Sequence, residues 1–190
     1  MLYPAQLFKE ELKRKLVSVW YDPKYQYYFS GEFYEFNIGD NLEWRQDFVH
    51  LDRKGKIDGF FSYNYNDTSK NMRNFGLISF TDNGIPLIYD AIKRVKYMFK
   101  MGAQKLEFWS FVDNPIYTTY KNMIESYGGH QTGYMKRSDY FNGKYHDVAF
   151  FELLVEDIVK NPLYIHRNSK ARPNRFNSDV NKNILKEKHF

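Results

Sequence analysis

The sequence predicts a single α/β domain with a mixed sheet flanked by helices. Three strand patterns follow one another, and a helix pattern then joins the third strand to a fourth, which requires those two strands to be parallel. The last two strand patterns flank Asn142-Gly143, a dipeptide typical of tight hairpin turns. The six strand patterns cover residues 47–51, 57–64, 75–80, 106–112, 133–138 and 146–155.

Helix patterns occur before the first strand and between the later ones. Phe8, Leu12 and Leu16 recur every four residues, which predicts an amphipathic helix over 4–18. Asp22-Pro23 is a helix-start signal, and a short aromatic helix is expected over 23–30. The remaining helices are expected from Pro86 to a stop at Gly102, and from Pro115 to Ser126 before Gly128-Gly129.

Composition excludes several classes of protein. None of the 190 residues is cysteine, which excludes disulfide scaffolds, thiolate metal sites and cysteine nucleophiles. The five histidines show no metal-ligand spacing, so no metal site is expected. No stretch approaches 18 uncharged apolar residues, and charges recur from Lys9 to Lys15, so neither a membrane span nor a secretory signal is expected. A cytoplasmic location fits the absence of cysteine.

The positive charge of the chain is concentrated at its end. The formal net charge is +5, and residues 160–190 hold eight lysines and arginines but two acidic residues. We therefore divide the chain into a folded domain over 1–159 and a basic arm over 160–190. Such an arm can contact nucleic acid or an acidic protein, because its cations can neutralise phosphates or carboxylates. The alternative is a solvated tail.

The predicted topology indicates where a ligand should bind. Ligands on sheets with a parallel crossover favour the carboxyl ends of the crossover strands. These ends lie near Phe80 to Gly84 and near Val112 to Asn114.

Residues in this order resemble the GNAT superfamily of N-acetyltransferases. The segment from Phe48 to Gly59 is similar to a characteristic strand pair of that family, and Gly143-Lys144-Tyr145-His146-Asp147 is similar to its late hairpin. Asn114 and Gly128 match its conserved Asn and Gly around the helix that follows the fifth strand. The resemblance covers roughly 45–155. It implies a three-layer fold that binds acetyl-CoA or another acyl-CoA and transfers the acyl group to an amine by direct attack.

The resemblance also implies a set of cofactor-binding residues. The family's phosphate-binding loop corresponds to Thr81–Pro86, which keeps the central Gly84 but lacks the leading Arg or Gln. Pro86 removes one backbone donor and Asp82 adds a negative charge, so CoA binding should be weaker than in the family. The residues implied to bind the cofactor are Ile78, Phe80, Asn83, Gly84, Ile85 and Asn114.

The catalytic residues implied by the resemblance are displaced from their usual places. The strand before the loop has no carboxylate, so Glu107, Asp113 or His50 could substitute as the base, directly or through water. The general acid of the family is often a Tyr, and the spacing allows Tyr120 or Tyr127. We favour Tyr120, whose phenol could protonate the departing thiolate.

Three functions remain open from the sequence. The first is an active acyltransferase whose acceptor is a small amine, a protein or a modified nucleobase. The second is an inactive binding protein that works through the basic arm. The third is a structural or assembly subunit. A homodimer is also open. An aromatic-rich segment lies where the family builds its acceptor pocket, and it contains Tyr25, Tyr27, Tyr28, Phe29, Phe33, Tyr34 and Phe36.

Overall fold

The computed structural model describes residues 1–28, Ile38 and residues 44–160. The strands within these ranges are β1 (Leu2–Pro4), β2 (Arg45–Leu51), β3 (Ile57–Asn66), β4 (Asn71–Ser79), β5 (Lys105–Phe111), β6 (His130–Phe141) and β7 (Lys144–Leu154). The α-helices are α1 (Lys9–Val19), α2 (Ile85–Lys100), α3 (Tyr117–Ser126) and α4 (Val155–Lys160). Two short 3-10 helices cover Ala5–Phe8 and Pro23–Tyr25. The basic arm beyond Lys160 lies outside the described residues.

The described strands form one mixed sheet in the order β1-β2-β3-β4-β5-β7-β6. The strands β4 and β5 pair in parallel, and the other neighbours pair antiparallel. The predicted mixed sheet and the predicted parallel crossover are therefore confirmed. Asn142 and Gly143 have φ of 50° and 76°, as a two-residue hairpin turn of type I′ requires, which also confirms the predicted turn.

Three sequence-based expectations about the elements were wrong. The helix expected over 4–18 becomes regular only at Lys9, because Leu2–Pro4 is extended and pairs with β2. The loop expected over 66–72 is shorter, because Asn66 and Asn71 pair with each other across β3 and β4. The helix expected over 23–30 is a single 3-10 turn at Pro23–Tyr25, and residues 29 and 30 lie outside the described part.

The sheet separates two hydrophobic cores, which makes the fold three-layered. On one face α2 and α3 pack against the sheet through Leu87, Ala91 and Ile124. On the other face α1 packs through Leu12 and Leu16. Each large side chain buried in this way contributes about 1.5–3 kcal/mol by leaving water. Phe60 and Phe61 are adjacent in β3 and enter opposite cores, as the alternation of side chains along a strand requires.

A bulge in β4 bends this strand in the middle of the sheet. The pairing of β3 with β4 passes from Ser62–Gly76 to Asn64–Arg73, so β4 contains one residue more than its partner. Asn74 lies in this stretch and has φ of 55°, in the left-handed region. Such a bulge increases the local twist and turns the strand away from its previous direction.

Gly129 allows the chain after α3 to approach β7 closely. A Cβ on Gly129 would lie 2.4 Å from the carbonyl oxygen of Glu152 and 2.6 Å from Cγ2 of Ile124. We expect Gly129→Ala to lower the free energy of unfolding by about 2–3 kcal/mol, because backbone must move to admit the methyl group. Urea denaturation followed by circular dichroism measures this change.

A matched control is Gly133→Ala in β6, where the nearest atom to an added Cβ, Phe150 Cδ2, lies 3.5 Å away. This variant should unfold close to the wild-type midpoint. Equal midpoints for the two variants would show that the close approach at Gly129 does not exist in solution.

Candidate active site

The centre of the candidate site is a gap between the parallel strands. The described pairing of β4 with β5 consists of Asn71 with Lys105 and Met72 with Leu106. Beyond Met72 and Leu106, β4 continues to Ser79 and β5 continues to Phe111 without pairing with each other, because the bulge at Asn74 bends β4 away from β5. The gap therefore opens toward the carboxyl ends of the two strands, where the topology predicted a ligand.

The loop after β4 brings the N-terminus of α2 to the edge of this gap. The side chain of Asn83 accepts the backbone N–H of Ile85 at 3.2 Å, and Pro86 has no N–H to offer. Within the described part of the chain, the N–H groups of Gly84 and Leu87 have no acceptor. The loop therefore retains free N–H donors at a helix N-terminus, although fewer than a loop without Pro86 would have.

Asp82 carries a negative charge in the same loop. Its carboxylate lies 2.7 Å from Nζ of Lys24, and both groups are exposed. This hydrogen bond lowers the pKa of Asp82 and raises the pKa of Lys24. Lys24 offsets part of the repulsion that Asp82 would exert on a bound phosphate.

The edge of β4 that faces the gap is formed by alternate residues. Phe80 donates its backbone N–H to the carbonyl of Asp58 at 2.9 Å, so its backbone faces β3. Ile78 has the same orientation, since residues of an antiparallel pair alternate. The backbone groups of Leu77 and Ser79 therefore face the gap. Ile78 and Phe80 direct their side chains into the core beneath α1.

A cavity of about 640 Å³ lies where β4 and β5 begin to separate. Lys105, Glu107 and Trp109 alternate along β5 with Leu106 and Phe108, which pack toward α2 and α3. The charged side chains of the cavity therefore lie on the opposite face of the sheet. The residues that line the cavity are Arg73, Asn74, Lys105, Glu107, Phe108, Trp109, Thr132, Gly133, Phe150, Phe151 and Glu152.

Lys105 organises the charges in this cavity. Its Nζ lies 2.7 Å from Glu107 and 2.7 Å from Glu152, which raises the pKa of Lys105. The hydrogen bond from Lys105 lowers the pKa of Glu107 although burial opposes the change, and Asn71 and the charge of Arg73 lower it further. Asn71 donates Nδ2 to Glu107 at 2.7 Å, while its buried Oδ1 has no partner among the described residues. Glu107 is therefore an anion at neutral pH.

Tyr120 lies on the other side of β5. It is in α3, and its ring packs edge-on against Phe108 at 5.9 Å between centroids. Burial raises the pKa of Tyr120 to about 12. Its hydroxyl has no hydrogen-bond partner among the described residues. The structure therefore places Tyr120 and Glu107 on opposite faces of the strand that borders the gap.

Asp113 lies six positions after Glu107, in the turn that follows β5. Its carboxylate binds His146 Nδ1 at 2.9 Å and Lys144 Nζ at 2.8 Å. Burial alone would raise the pKa of Asp113, but these two hydrogen bonds outweigh it and lower the pKa. Asp113 therefore anchors the start of β7, and it is not among the residues that line the cavity around Glu107. The neighbouring Asn114 accepts the N–H of Ile116 at 3.2 Å before α3.

His50 is enclosed between two carboxylates. Its Nδ1 lies 2.5 Å from Asp58 and its Nε2 lies 3.4 Å from Asp90 of α2. The side chain is buried, so a substrate in the gap has no access to it. His50 connects β2, β3 and α2.

Sequence reasoning missed Arg73, Lys105, Trp109 and Glu152. The period-two spacing of Lys105, Glu107 and Trp109 could have placed these three on one face of β5. Glu152 joins them only because β7 pairs with β5, and this register is not readable from the local sequence. Of the predicted acceptor aromatics, Phe29, Phe33, Tyr34 and Phe36 lie outside the described residues.

Among residues 1–28, 38 and 44–160, no group of three or more metal-ligating side chains is arranged to hold a metal ion. Within the same ranges, no helix has the length and apolar character needed to cross a membrane.

Comparison with known proteins identifies the fold. No protein-family model matches the sequence, and no curated protein matches it significantly. Among solved structures, the chain is similar to spermidine N-acetyltransferase from Vibrio cholerae in complex with CoA and spermine. The TM-score is 0.60 at 19% identity, over 84% of this chain and 97% of that one. An N-acetyltransferase from Staphylococcus aureus Mu50 gives a TM-score of 0.60 at 13% identity, over 81% and 97%. The chain therefore has the fold of the GNAT N-acetyltransferases.

Proposed function

We propose that this protein is an N-acyltransferase that uses acetyl-CoA or another acyl-CoA and an amine acceptor. The observation that carries the proposal is the gap between β4 and β5, with the N-terminus of α2 at its edge. The likeness to a structure that contains CoA and spermine supports it. A sheet whose two central parallel strands separate gives up backbone hydrogen bonds, and a ligand that lies between them can replace those bonds.

The residues around the gap fit an extended, anionic cofactor. The free N–H groups of Gly84 and Leu87 and the positive end of the α2 dipole suit a pyrophosphate. The backbone groups of Leu77 and Ser79 suit the amide-containing arm of CoA, because both face the gap. In this proposal Ile78 and Phe80 hold the gap-facing edge of β4 in place through their side chains, which pack in the core beneath α1. Asn83 and Ile85 shape the loop, and Asn114 shapes the opposite turn.

Glu107 is proposed to orient the acceptor. Because its pKa is lowered, Glu107 is a weak base at neutral pH, so the proton of the amine passes to water beside the carboxylate. Its oxygens each have one protein partner, and a carboxylate can accept further hydrogen bonds. An ammonium or amine in the cavity can therefore bind Glu107 without breaking its contact with Lys105.

Tyr120 is proposed to act from the opposite face as the general acid. Acyl-CoA supplies an activated thioester, whose carbonyl carbon gains a bond to the amine nitrogen and loses its bond to sulfur. Tyr120 donates its phenolic proton to the sulfur, and the proton released by the amine restores the phenol through solvent. The products are an amide and free CoA. The raised pKa of Tyr120 keeps the phenol protonated until it is needed.

CoA binding tests the phosphate site. We expect calorimetry to detect CoA, and Asp82→Ala to increase its affinity about two- to fivefold, because a negative charge leaves the helix N-terminus. The gain should shrink as salt is added. Asp67→Ala is the matched control, since Asp67 is also exposed and paired with one lysine, at 2.6 Å from Lys70. This variant should bind CoA like the wild type.

Absence of CoA binding by the folded protein at millimolar ligand would contradict the acyltransferase proposal. It would favour the alternative of an inactive binding protein.

Tyr120→Phe tests the general acid. We expect kcat to fall about 100-fold, because the leaving sulfur loses its proton donor. Tyr117→Phe is the control on the same helix, where the hydroxyl donates to Gln131 at 3.1 Å, and its kcat should stay near the wild-type value. With a phenol pKa of about 12, the wild-type enzyme should show no loss of kcat from Tyr120 ionisation up to about pH 10.

Rates are measured with acetyl-CoA and a panel of primary amines that includes amino acids and polyamines. Equal losses of kcat in the two tyrosine variants would show that Tyr120 is not the general acid.

A further inference from the structure

Arg73 is an uncommitted cation in the cavity beside the gap. It is exposed, it lines the cavity, and its side chain forms no hydrogen bond or ion pair with another described residue. Its charge is close enough to lower the pKa of Glu107. By contrast, Lys105 is already held by Glu107 and Glu152. Arg73 is therefore the group in this cavity that is free to bind an anion, and its planar fork suits a carboxylate.

The cavity also has an apolar wall. Trp109 is 43% exposed although it lies in the middle of β5, and it pairs across the strands with Phe150 of β7. Both aromatic side chains are on the same face as Glu107 and Arg73. An exposed indole beside charged groups suits a ligand with an apolar or aromatic part.

We propose that the acceptor of this enzyme is an amino acid with an apolar side chain. Its carboxylate binds Arg73, its amine binds Glu107 next to the gap, and its side chain packs on Trp109 and Phe150. This inference rests on the proposed acyltransferase function and adds the class of acceptor. The volume of about 640 Å³ is within the range of pockets that enclose small molecules.

Arg73 disfavours a polycation. Glu107 and Glu152 offset the charge of Lys105, but an extended polyamine would bring additional positive charge toward Arg73, whose side chain has no ion-pair partner among the described residues, and like charges repel. The acceptor class inferred here thus differs from spermine, which is bound in the similar structure from Vibrio cholerae.

The test compares L-phenylalanine with phenethylamine, which lacks only the carboxylate, and with spermine. Calorimetry of the full chain measures the binding of each compound, with and without CoA. We expect L-phenylalanine to bind the wild type at least about tenfold tighter than phenethylamine, as one charge-assisted bidentate contact allows. Arg73→Gln should abolish this preference, and Arg73→Lys should restore part of it. Arg53→Gln, in the exposed turn between β2 and β3, is the control and should keep the full preference.

Three results would overturn the inference: equal affinity for L-phenylalanine and phenethylamine, tighter binding of spermine, or an unchanged preference in Arg73→Gln. The test separates this inference from the proposed function. Acyl transfer to spermine but not to amino acids would contradict the amino-acid acceptor and support the proposed acyltransferase function. Arg73-dependent binding of L-phenylalanine without any CoA binding would support an amino-acid site in the cavity and contradict the proposed acyltransferase function.

Discussion

The extra residue in β4 at Asn74 is the constraint on which the rest of the site depends. Two parallel strands in the middle of a sheet would normally pair along their length, since each unpaired backbone group costs free energy when it is buried. The bulge ends this pairing after Met72 and Leu106. A gap in the sheet, a free edge on β4 and a cavity at the start of the gap all follow from it.

The two cores hold this open arrangement in place. α2 and α3 cover one face and α1 covers the other, so β4 and β5 are fixed by side-chain packing where backbone pairing is missing. Lys105 adds a polar connection by joining Glu107 of its own strand to Glu152 of β7. The gap is therefore supported on three sides by contacts that do not cross it.

The sequence predicted the architecture more fully than the site. Strand patterns, the crossover and the Asn142-Gly143 turn are local signals, and the order of elements followed from them. The strand at Leu2–Pro4 was missed because three residues carry no periodic pattern, and only its pairing with β2 makes it a strand. The roles of Glu107 and Asp113 could not be separated in the sequence. Their difference depends on partners more than 30 residues away, Asn71 for Glu107 and Lys144 for Asp113.

If the protein is the acyltransferase proposed above, the placement of Glu107 and Tyr120 on opposite faces of β5 has a kinetic consequence. Two substrates that approach a gap from opposite sides do not obstruct one another, so neither has to bind first. In the direct attack proposed above, both must be present together before the acyl group moves, because the amine itself takes the acyl group from the thioester. Initial-rate plots for such an enzyme intersect instead of running parallel, and each product competes with the substrate that shares its side of the sheet.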